Sequence, residues 1–326
     1  MKVLVTGGSG FIGTNMVSLL IDKGFDVVNY DIKKPKIESH LKFWTEVDIC
    51  NKTQIEMLFK NDNPDYVIHL AARTDLNEKS DLEGYKANIE GVRNVINASA
   101  TLTNLKRIIV ASSMLVCKLG YLPSGFHDYA PNSLYGESKV FTEKIVKESN
   151  LDWVIVRPTS IWGPWFGEPY RNFFNLVISG LYFNVPKLVS STKTYGYVGN
   201  TCLQIYNLLL SEDLSVTKNY FYLGDDPPIN VTDWATRIRK LNNQSRPIIM
   251  PVNVLRFAAL IGDVIQKYSG FSHFPMNSFR YRNMTNNNII ADLHRTIDLT
   301  KCGRDSNFDV QITETLDWLK NINKIK

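Results

Sequence analysis

The chain has 326 residues, 44% of them apolar and 21% charged, with 37 basic against 32 acidic side chains for a net charge of +5. That is the balance of a globular protein long enough to bury a full core, and its length predicts two domains. No basic cluster or aromatic–basic stripe suggests nucleic acid, and no run of 18 uncharged apolar residues suggests a membrane span. The modest positive charge suits small anionic ligands. Cys50, Cys117, Cys202 and Cys302 lie far apart, so neither a metal site nor a disulfide framework is indicated, and a reduced cytoplasm is the simple reading. Met1-Lys2 runs straight into an apolar stretch, which leaves no room for a signal peptide.

Val3-Leu4-Val5 reads as a buried strand, and Thr14 to Leu20 has helical periodicity. Between them stands Thr6-Gly7-Gly8-Ser9-Gly10-Phe11-Ile12-Gly13, in which Gly8, Gly10 and Gly13 form a dinucleotide fingerprint. The first glycines permit a tight turn. Gly10 lets a pyrophosphate approach bare backbone, and Gly13 lets the helix pack close to the strand. The phosphates then sit at the helix N-terminus, where free N–H groups and the dipole favour an anion. Asp31 closes the next apolar run, about 20 residues on, where a ribose 2′-hydroxyl is read. Lys33, Lys34 and Lys36 follow. They can be a solvated turn or can hold the 2′-phosphate of NADP, and the negative charge of Asp31 favours NAD.

Phe43 to Val47 reads as a third strand ending at Asp48-Ile49. Asp48 either recognises an adenine amino group or caps a helix over Thr53 to Lys60. Tyr66 to Ala72 is a fourth strand whose small residues Ala71 and Ala72 admit a cofactor, and His69 within it reads as a packed core histidine. Asn88 to Ala100 has helical spacing. Arg107 to Ser113 is a fifth strand ending in two hydroxyls, where an open α/β sheet places its chemistry. Tyr135 and Lys139 follow at i and i+4, on one helix face. An ammonium there favours the phenolate and lowers the tyrosine pKa, while Ser113 polarises the same substrate oxygen. The alternative is an amphipathic helix whose Tyr and Lys are surface neighbours.

With these motifs in this order, the chain resembles the extended short-chain dehydrogenase/reductase family, in its sugar epimerase and dehydratase branch. The likeness rests on Thr6 to Gly13, Asp31, Asp48-Ile49, His69 to Ala72, Asn88 with Gly91, Ser112-Ser113, Tyr135 to Lys139, and Val156 to Thr159 leading to Trp162-Gly163-Pro164. It implies an α/β fold: a Rossmann-type, doubly wound parallel sheet of seven strands with a smaller C-terminal α/β substrate domain. The resemblance divides the chain into 1–161 with 199–226 for NAD, and 162–198 with 227–326 for substrate. It implies Ser113, Tyr135 and Lys139 as the catalytic triad. It places Gly7, Gly10, Phe11, Ile12, Gly13, Asp31, Asp48, Ile49, Leu70, Ala71, Ala72, Asn88, Tyr135, Lys139, Pro158 and Ser160 against NAD. Thr74, Ser113, Tyr135, Asn172, Lys193 and Arg280 would meet substrate, the Lys193 to Asn200 and Phe279 to Met284 stretches being similar to diphosphate-reading segments. A homodimer through the Asn88 and Tyr135 helices is also implied.

Two departures matter. Val116-Cys117-Lys118 stands where the family often has Val-Tyr-Gly, and Met114-Leu115 stands where 4,6-dehydratases carry an Asp-Glu pair. Without those carboxyls the family's dehydration chemistry is not expected. Val252 to Lys267 reads as an amphipathic helix, with Arg256, Asp263 and Lys267 on one face and Leu255, Ala258, Ala259, Val264 and Ile265 on another. It either packs over the substrate domain or, by similarity to epimerases of undecaprenyl-diphosphate-linked N-acetylhexosamine, meets a membrane surface. The reading overall is an NAD-dependent epimerase of a sugar diphosphate conjugate, nucleotide- or lipid-linked, in surface polysaccharide synthesis, cytoplasmic or membrane-peripheral. Its rivals are a nucleotide 4-ketosugar reductase and a non-catalytic dinucleotide-sensing module.

Overall fold

The computed structural model describes residues 1–326 apart from 77, 79, 270–276, 305, 306, 325 and 326, and apart from the side chains of 266–269, 279, 323 and 324. The chain forms two compact units. The first comprises Met1–Trp165, Gly196–Asp226 and Ala291–Arg304. The second comprises Phe166–Tyr195, Pro227–Ile290 and Asp305–Lys326.

The first unit is built on a seven-stranded parallel sheet. Its strands are β1 (Lys2–Thr6), β2 (Asp26–Asp31), β3 (Trp44–Glu46), β4 (Tyr66–His69), β5 (Arg107–Ala111), β6 (Trp153–Pro158) and the strand Asn219–Leu223. Across the sheet they run Asn219–Leu223, β6, β5, β4, β1, β2, β3. Val3, Leu4 and Val5 of β1, Ile108, Ile109 and Val110 of β5, and Val154, Ile155 and Val156 of β6 are all fully buried. Such unbroken apolar runs form strands here because both faces of a parallel sheet are covered. Each fully buried Val or Ile contributes about 1.5–3 kcal/mol, so a charge at Ile109 would break the sheet.

β1 pairs in register with β2 on one side and β4 on the other, Val5 opposite Asn29 and Ile68. Sequence order reverses here, and the crevice outside the strand C-termini at such a reversal is where open α/β sheets take ligands. The helices α1 (Phe11–Asp22), α2 (Lys52–Asp62), α3 (Val92–Ala100) and α4 (Leu134–Lys147) link the strands. The helix expected from Asn88 opens as a π-turn at Ala87–Gly91 before α3. A Cβ on Gly91 would lie 2.6 Å from Ile49 Cδ1, so glycine there lets the turn close on the β3 exit.

Two expectations are corrected. α2 is capped by Asn51, whose side chain accepts from Gln54 N, and not by Asp48, which is exposed and accepts instead from Cys50 N. Ala291–Arg304, expected in the second domain, packs in the first unit. Thr296 there donates to the Tyr222 carbonyl at 2.6 Å, and Asn207 donates to the Thr300 carbonyl at 2.8 Å.

The second unit holds the helices Tyr170–Ile178, Val231–Leu241, Val252–Ser269, Ser278–Thr285 and Phe308–Lys324, with Thr192–Lys193 antiparallel to Ile229–Asn230. Its core is aromatic, Trp234 lying 4.9 Å from Phe173 and 4.7 Å from Tyr195 between ring centroids. The helix Val252–Ser269 buries Leu255 and Ala259, with Leu255 packed on Val185 and Met284. Val264, expected on the same apolar face as Leu255, is instead 56% exposed, together with Val254, Phe257, Leu260 and Ile261. The residue spacing puts these five on the arc opposite Leu255, so the helix is apolar on both sides. Asp263 is half-buried and accepts from the backbone N and hydroxyl of Ser278. The Lys267 side chain lies outside the described residues.

Candidate active site

The glycine loop is shaped by what surrounds it. Gly7 has φ +75°, and a Cβ there would lie 2.5 Å from Ala71 N. A Cβ on Gly13 would lie 2.0 Å from the Gly7 oxygen, so only glycine lets α1 begin this close to the turn. At Gly10 a Cβ would meet only the Gly7 oxygen, at 3.1 Å. The loop's other side therefore offers bare backbone at a helix N-terminus, which fits a diphosphate. Phe11 and Ile12 open α1 half-buried.

Asp31, at the end of β2, reaches back to this loop. Its carboxylate accepts from Ser9 N at 3.0 Å and from Lys33 N at 2.9 Å. The acid beside the turn fits a ribose hydroxyl and disfavours an added phosphate. Lys33 and Lys34 are exposed. Leu70, Ala71 and Ala72 leave β4 half-buried beside Gly7. Ile49 is buried in the core, while Pro158 and Ser160 are half-buried at the end of β6. His69 is buried and its Nδ1 meets Thr6 Oγ1 at 2.6 Å. Burial first, and the Lys139 charge second, push its pKa down to about 3, so it is neutral.

Asn88 is fully buried and its amide is occupied. It accepts from Arg73 N at 2.8 Å, donates to the Arg73 carbonyl at 3.0 Å and donates to Ser138 Oγ at 2.9 Å. It thus ties the exit of β4 to α4. Thr74, next on that exit, is exposed.

The chemistry-bearing groups meet where β5 ends against α4. Ser133 caps α4 by accepting from Gly136 N at 3.1 Å. Tyr135, Lys139 and Glu143 follow at i, i+4 and i+8, one stripe of the helix. Three successive residues of the strand exit take them. Lys139 Nζ donates to the Ala111 carbonyl at 2.8 Å, Ser112 donates to Glu143 Oε1 at 2.6 Å, and Ser113 is hydrogen-bonded to the Tyr135 phenol.

All of these groups are buried: Tyr135 is 8% exposed, Ser113 7% and Lys139 3%. The expectation that Lys139 lowers the Tyr135 pKa is not met in this state. Burial raises it to about 12, the Ser113 hydrogen bond opposing, because a phenolate loses its hydration in the core. The Lys139 ammonium points instead at a carbonyl. Burial pushes its own pKa down to about 8, with Glu143 opposing. The cluster is therefore a proton-donating phenol beside a hydroxyl donor and a cation whose charge is held only up to mildly alkaline pH.

Sequence reasoning missed what lies behind it. Glu143 and Arg157 are both fully buried and paired twice, Nε to Oε1 at 2.9 Å and Nη2 to Oε2 at 2.8 Å. Tyr129 donates to Glu143 at 2.9 Å, and the guanidinium lies 5.2–5.7 Å from the ring centres of Phe126, Tyr129, Tyr220 and Tyr222. Burial works against the Arg157 charge, but Glu143 outweighs it and holds the pKa above its ordinary value. The i+8 spacing from Tyr135 was the signal available.

Lys193, Asn172 and Arg280 belong to the second unit. Lys193 is 9% exposed, with Nζ 3.4 Å from Asn283 Oδ1 as acceptor, and burial pushes its pKa down to about 8. Asn172 donates to Glu168 at 3.0 Å. Arg280 lies half-buried on the helix capped by Asn277, which accepts from Arg280 N at 2.8 Å. Among the described residues no cluster of His, Cys, Asp and Glu could hold a metal, and the four cysteines are free.

A family model described as the NAD dependent epimerase/dehydratase family matches residues 3–198. The chain is 28% identical over 271 residues to a 3-beta-hydroxysteroid dehydrogenase of Mycolicibacterium neoaurum, covering 74% of this chain and 72% of that one. It is 28% identical over 298 residues to the N-acetyl-alpha-D-glucosaminyl-diphospho-ditrans,octacis-undecaprenol 4-epimerase of Escherichia coli O157:H7, covering 86% and 84%. The crystal structure of UDP-glucuronic acid 4-epimerase from Bacillus cereus in complex with NAD matches with a TM-score of 0.75 and 18% identity, covering 99% of each chain. That last likeness is one of fold.

Proposed function

The chain belongs to the NAD dependent epimerase/dehydratase family and is an NAD-dependent enzyme; from that premise we propose that it inverts C4 of a hexose carried on a diphosphate. The observation that carries the reading is the strand exit Ala111-Ser112-Ser113 engaging Lys139, Glu143 and Tyr135 in turn. Held this way, the phenol can exchange a proton with one substrate hydroxyl while Ser113 orients the same oxygen. NAD, when bound, supplies the acceptor and donor of hydride. Gly7, Gly10 and Gly13 with the start of α1 would hold its diphosphate, and Asp31 its ribose.

In its phenolate form, the minor one here, Tyr135 takes the proton of the C4 hydroxyl as that carbon is oxidised, and returns it when the carbon is reduced on its other face. Lys139 keeps a positive charge near the phenolate during the exchange. Met114 and Leu115 follow Ser113, so no carboxyl pair is there for dehydration.

The lipid-linked form of the substrate is the finer part of the reading. It is supported by similarity to the Escherichia coli undecaprenol 4-epimerase over 86% of the chain and by the exposed arc of Val254, Phe257, Leu260, Ile261 and Val264. No helix among the described residues is long and apolar enough to cross a membrane. An exposed apolar helical arc of this kind suits a bilayer interface. Within the second unit Lys193, a nearly buried cation with an amide partner, and Arg280 are the candidate diphosphate contacts, with Asn172 a candidate contact of the sugar; Thr74 is the candidate in the first unit. A homodimer in surface polysaccharide synthesis completes the proposal.

A second reading has one observation in its favour, the similarity to the Mycolicibacterium neoaurum hydroxysteroid dehydrogenase. The same phenol and hydroxyl would serve one-way oxidation of an alcohol on an apolar ring system. Incubating the purified protein separately with UDP-glucose, lipid-diphosphate N-acetylglucosamine and a 3β-hydroxysteroid decides between them. Epimer formation with no net change of cofactor supports the proposal. Net reduction of NAD by the steroid alone overturns it.

A further inference from the structure

Glu143 lies outside the three groups assigned to proton transfer, yet both of its oxygens are engaged beside them. It is fully buried and accepts from Ser112, from Arg157 through two nitrogens and from Tyr129. Ser112 sits between the two strand-exit residues that meet Lys139 and Tyr135. A carboxylate at that middle position fixes how far α4 can slide along the end of β5. Arg157 extends from β6, so the same pair joins two strands to the helix.

We propose that Glu143, charge-paired with Arg157, is a positioning residue for the reaction: it sets the register of α4 against the exit of β5 and holds the positive charge of Lys139 at the site. The inference rests on the reading of Tyr135 and Lys139 as reacting and supporting groups.

The groups facing Lys139 make the electrostatic part specific. On α4 they are Tyr135, a neutral phenol, and Glu143. From β4 comes His69, which is neutral, and from β5 the uncharged Ala111 carbonyl. Arg157 reaches from β6 to the Glu143 carboxylate. Glu143 is therefore the anion among these groups, and it opposes the loss of the Lys139 proton that burial promotes. A carboxylate stabilises a nearby ammonium, so its removal makes Lys139 shed its proton at lower pH.

The test is a titration of Lys139 itself, by NMR of protein carrying isotopically labelled lysine, with Lys139→Arg identifying the resonance. Glu143→Gln keeps the shape and removes the charge, but leaves Arg157 buried without its partner and can unfold. The variant Glu143→Leu/Arg157→Met removes both charges at similar volume and leaves no lone buried ion. In Glu143→Gln the Lys139 midpoint is expected to fall by about one pH unit or more, and in the double variant it is expected to fall by less, because a repelling cation leaves with the anion. An unmoved midpoint in the folded double variant overturns the proposal. Failure of the double variant to fold overturns it too, since the pair would then be a structural staple alone. Turnover of Tyr135→Phe separates this inference from the reading beneath it. A fully active Tyr135→Phe enzyme sinks the catalytic reading, whatever Lys139 does. An inactive one with an unmoved Lys139 midpoint sinks the role of Glu143 only.

Discussion

The Asp31 carboxylate accepts a hydrogen bond from the backbone N–H of Ser9 at 3.0 Å, joining the end of β2 to the glycine loop that follows β1. One acid thus shapes the glycine turn and, in the proposed function, meets the ribose of NAD. Asp31→Ala should weaken NAD about tenfold or more, the worth of a hydrogen bond to a charged group. It should weaken NADP less, because a repelling charge goes with it. Titration calorimetry with both cofactors checks this; a wild type that already prefers NADP would transfer the role to Lys33 and Lys34.

The glycines differ in a measurable way. Gly13→Ala forces a Cβ to 2.0 Å from the Gly7 oxygen, so it should cost about 1–3 kcal/mol of stability as well as cofactor binding. Gly10→Ala meets only one atom, at 3.1 Å, so its melting temperature should stay near wild type while NAD affinity drops. Thermal melts run beside NAD titrations separate the two. Equal destabilisation by both would mean that Gly10 is a packing glycine.

Tyr135→Phe removes the proton-exchanging hydroxyl and should lower turnover by about 10²–10⁴ with NAD still bound. Lys139→Ala should harm both rate and cofactor binding. Steady-state kinetics with equilibrium binding measures each effect, and an undiminished kcat in Tyr135→Phe would remove the residue from the mechanism.

The pH dependence follows from two opposing groups. The Tyr135 pKa is raised to about 12, so the base form grows with each step of pH below that value. The Lys139 pKa is lowered to about 8, so its charge, present below that pH, is lost above it. kcat/KM should climb through neutrality and level off near a pH of about 8, where each further gain in phenolate is offset by loss of the Lys139 charge, and Lys139→Arg should carry the rise further. A flat profile across neutrality would contradict this pairing.

The exposed arc of the helix Val252–Ser269 makes a prediction about place. The protein should sediment with anionic liposomes and be released when Phe257 and Val264 become aspartate. Leu255→Asp should instead unfold the second unit, because Leu255 is 2% exposed. Failure to sediment would leave the arc without a bilayer partner and favour a soluble nucleotide sugar.

What the sequence disclosed follows from the physics of each part. The parallel strands were legible because burial on both faces writes them as unbroken apolar runs such as Ile108-Ile109-Val110. The glycine loop was legible because backbone crowding at Gly7 and Gly13 admits no side chain. Long-range facts were not. Thr296 returns to the first unit through one hydrogen bond to Tyr222, and no local pattern marks it. The helix Val252–Ser269 showed its period but not its packed side, since both arcs are apolar. Asp48 and Asn51 both suit a cap, and only geometry chose Asn51. The rise in the Tyr135 pKa comes from burial, which the Tyr-x-x-x-Lys spacing does not encode.

The central claim is that hydride leaves and returns within one occupancy of the site. The most direct measurement follows a sugar diphosphate deuterated at C4, given to purified protein with no cofactor added. The account predicts interconversion of the two C4 epimers with the label retained in the product and no net NADH. Loss of label to solvent, or stoichiometric gain or consumption of NADH with no epimer formed, would contradict it.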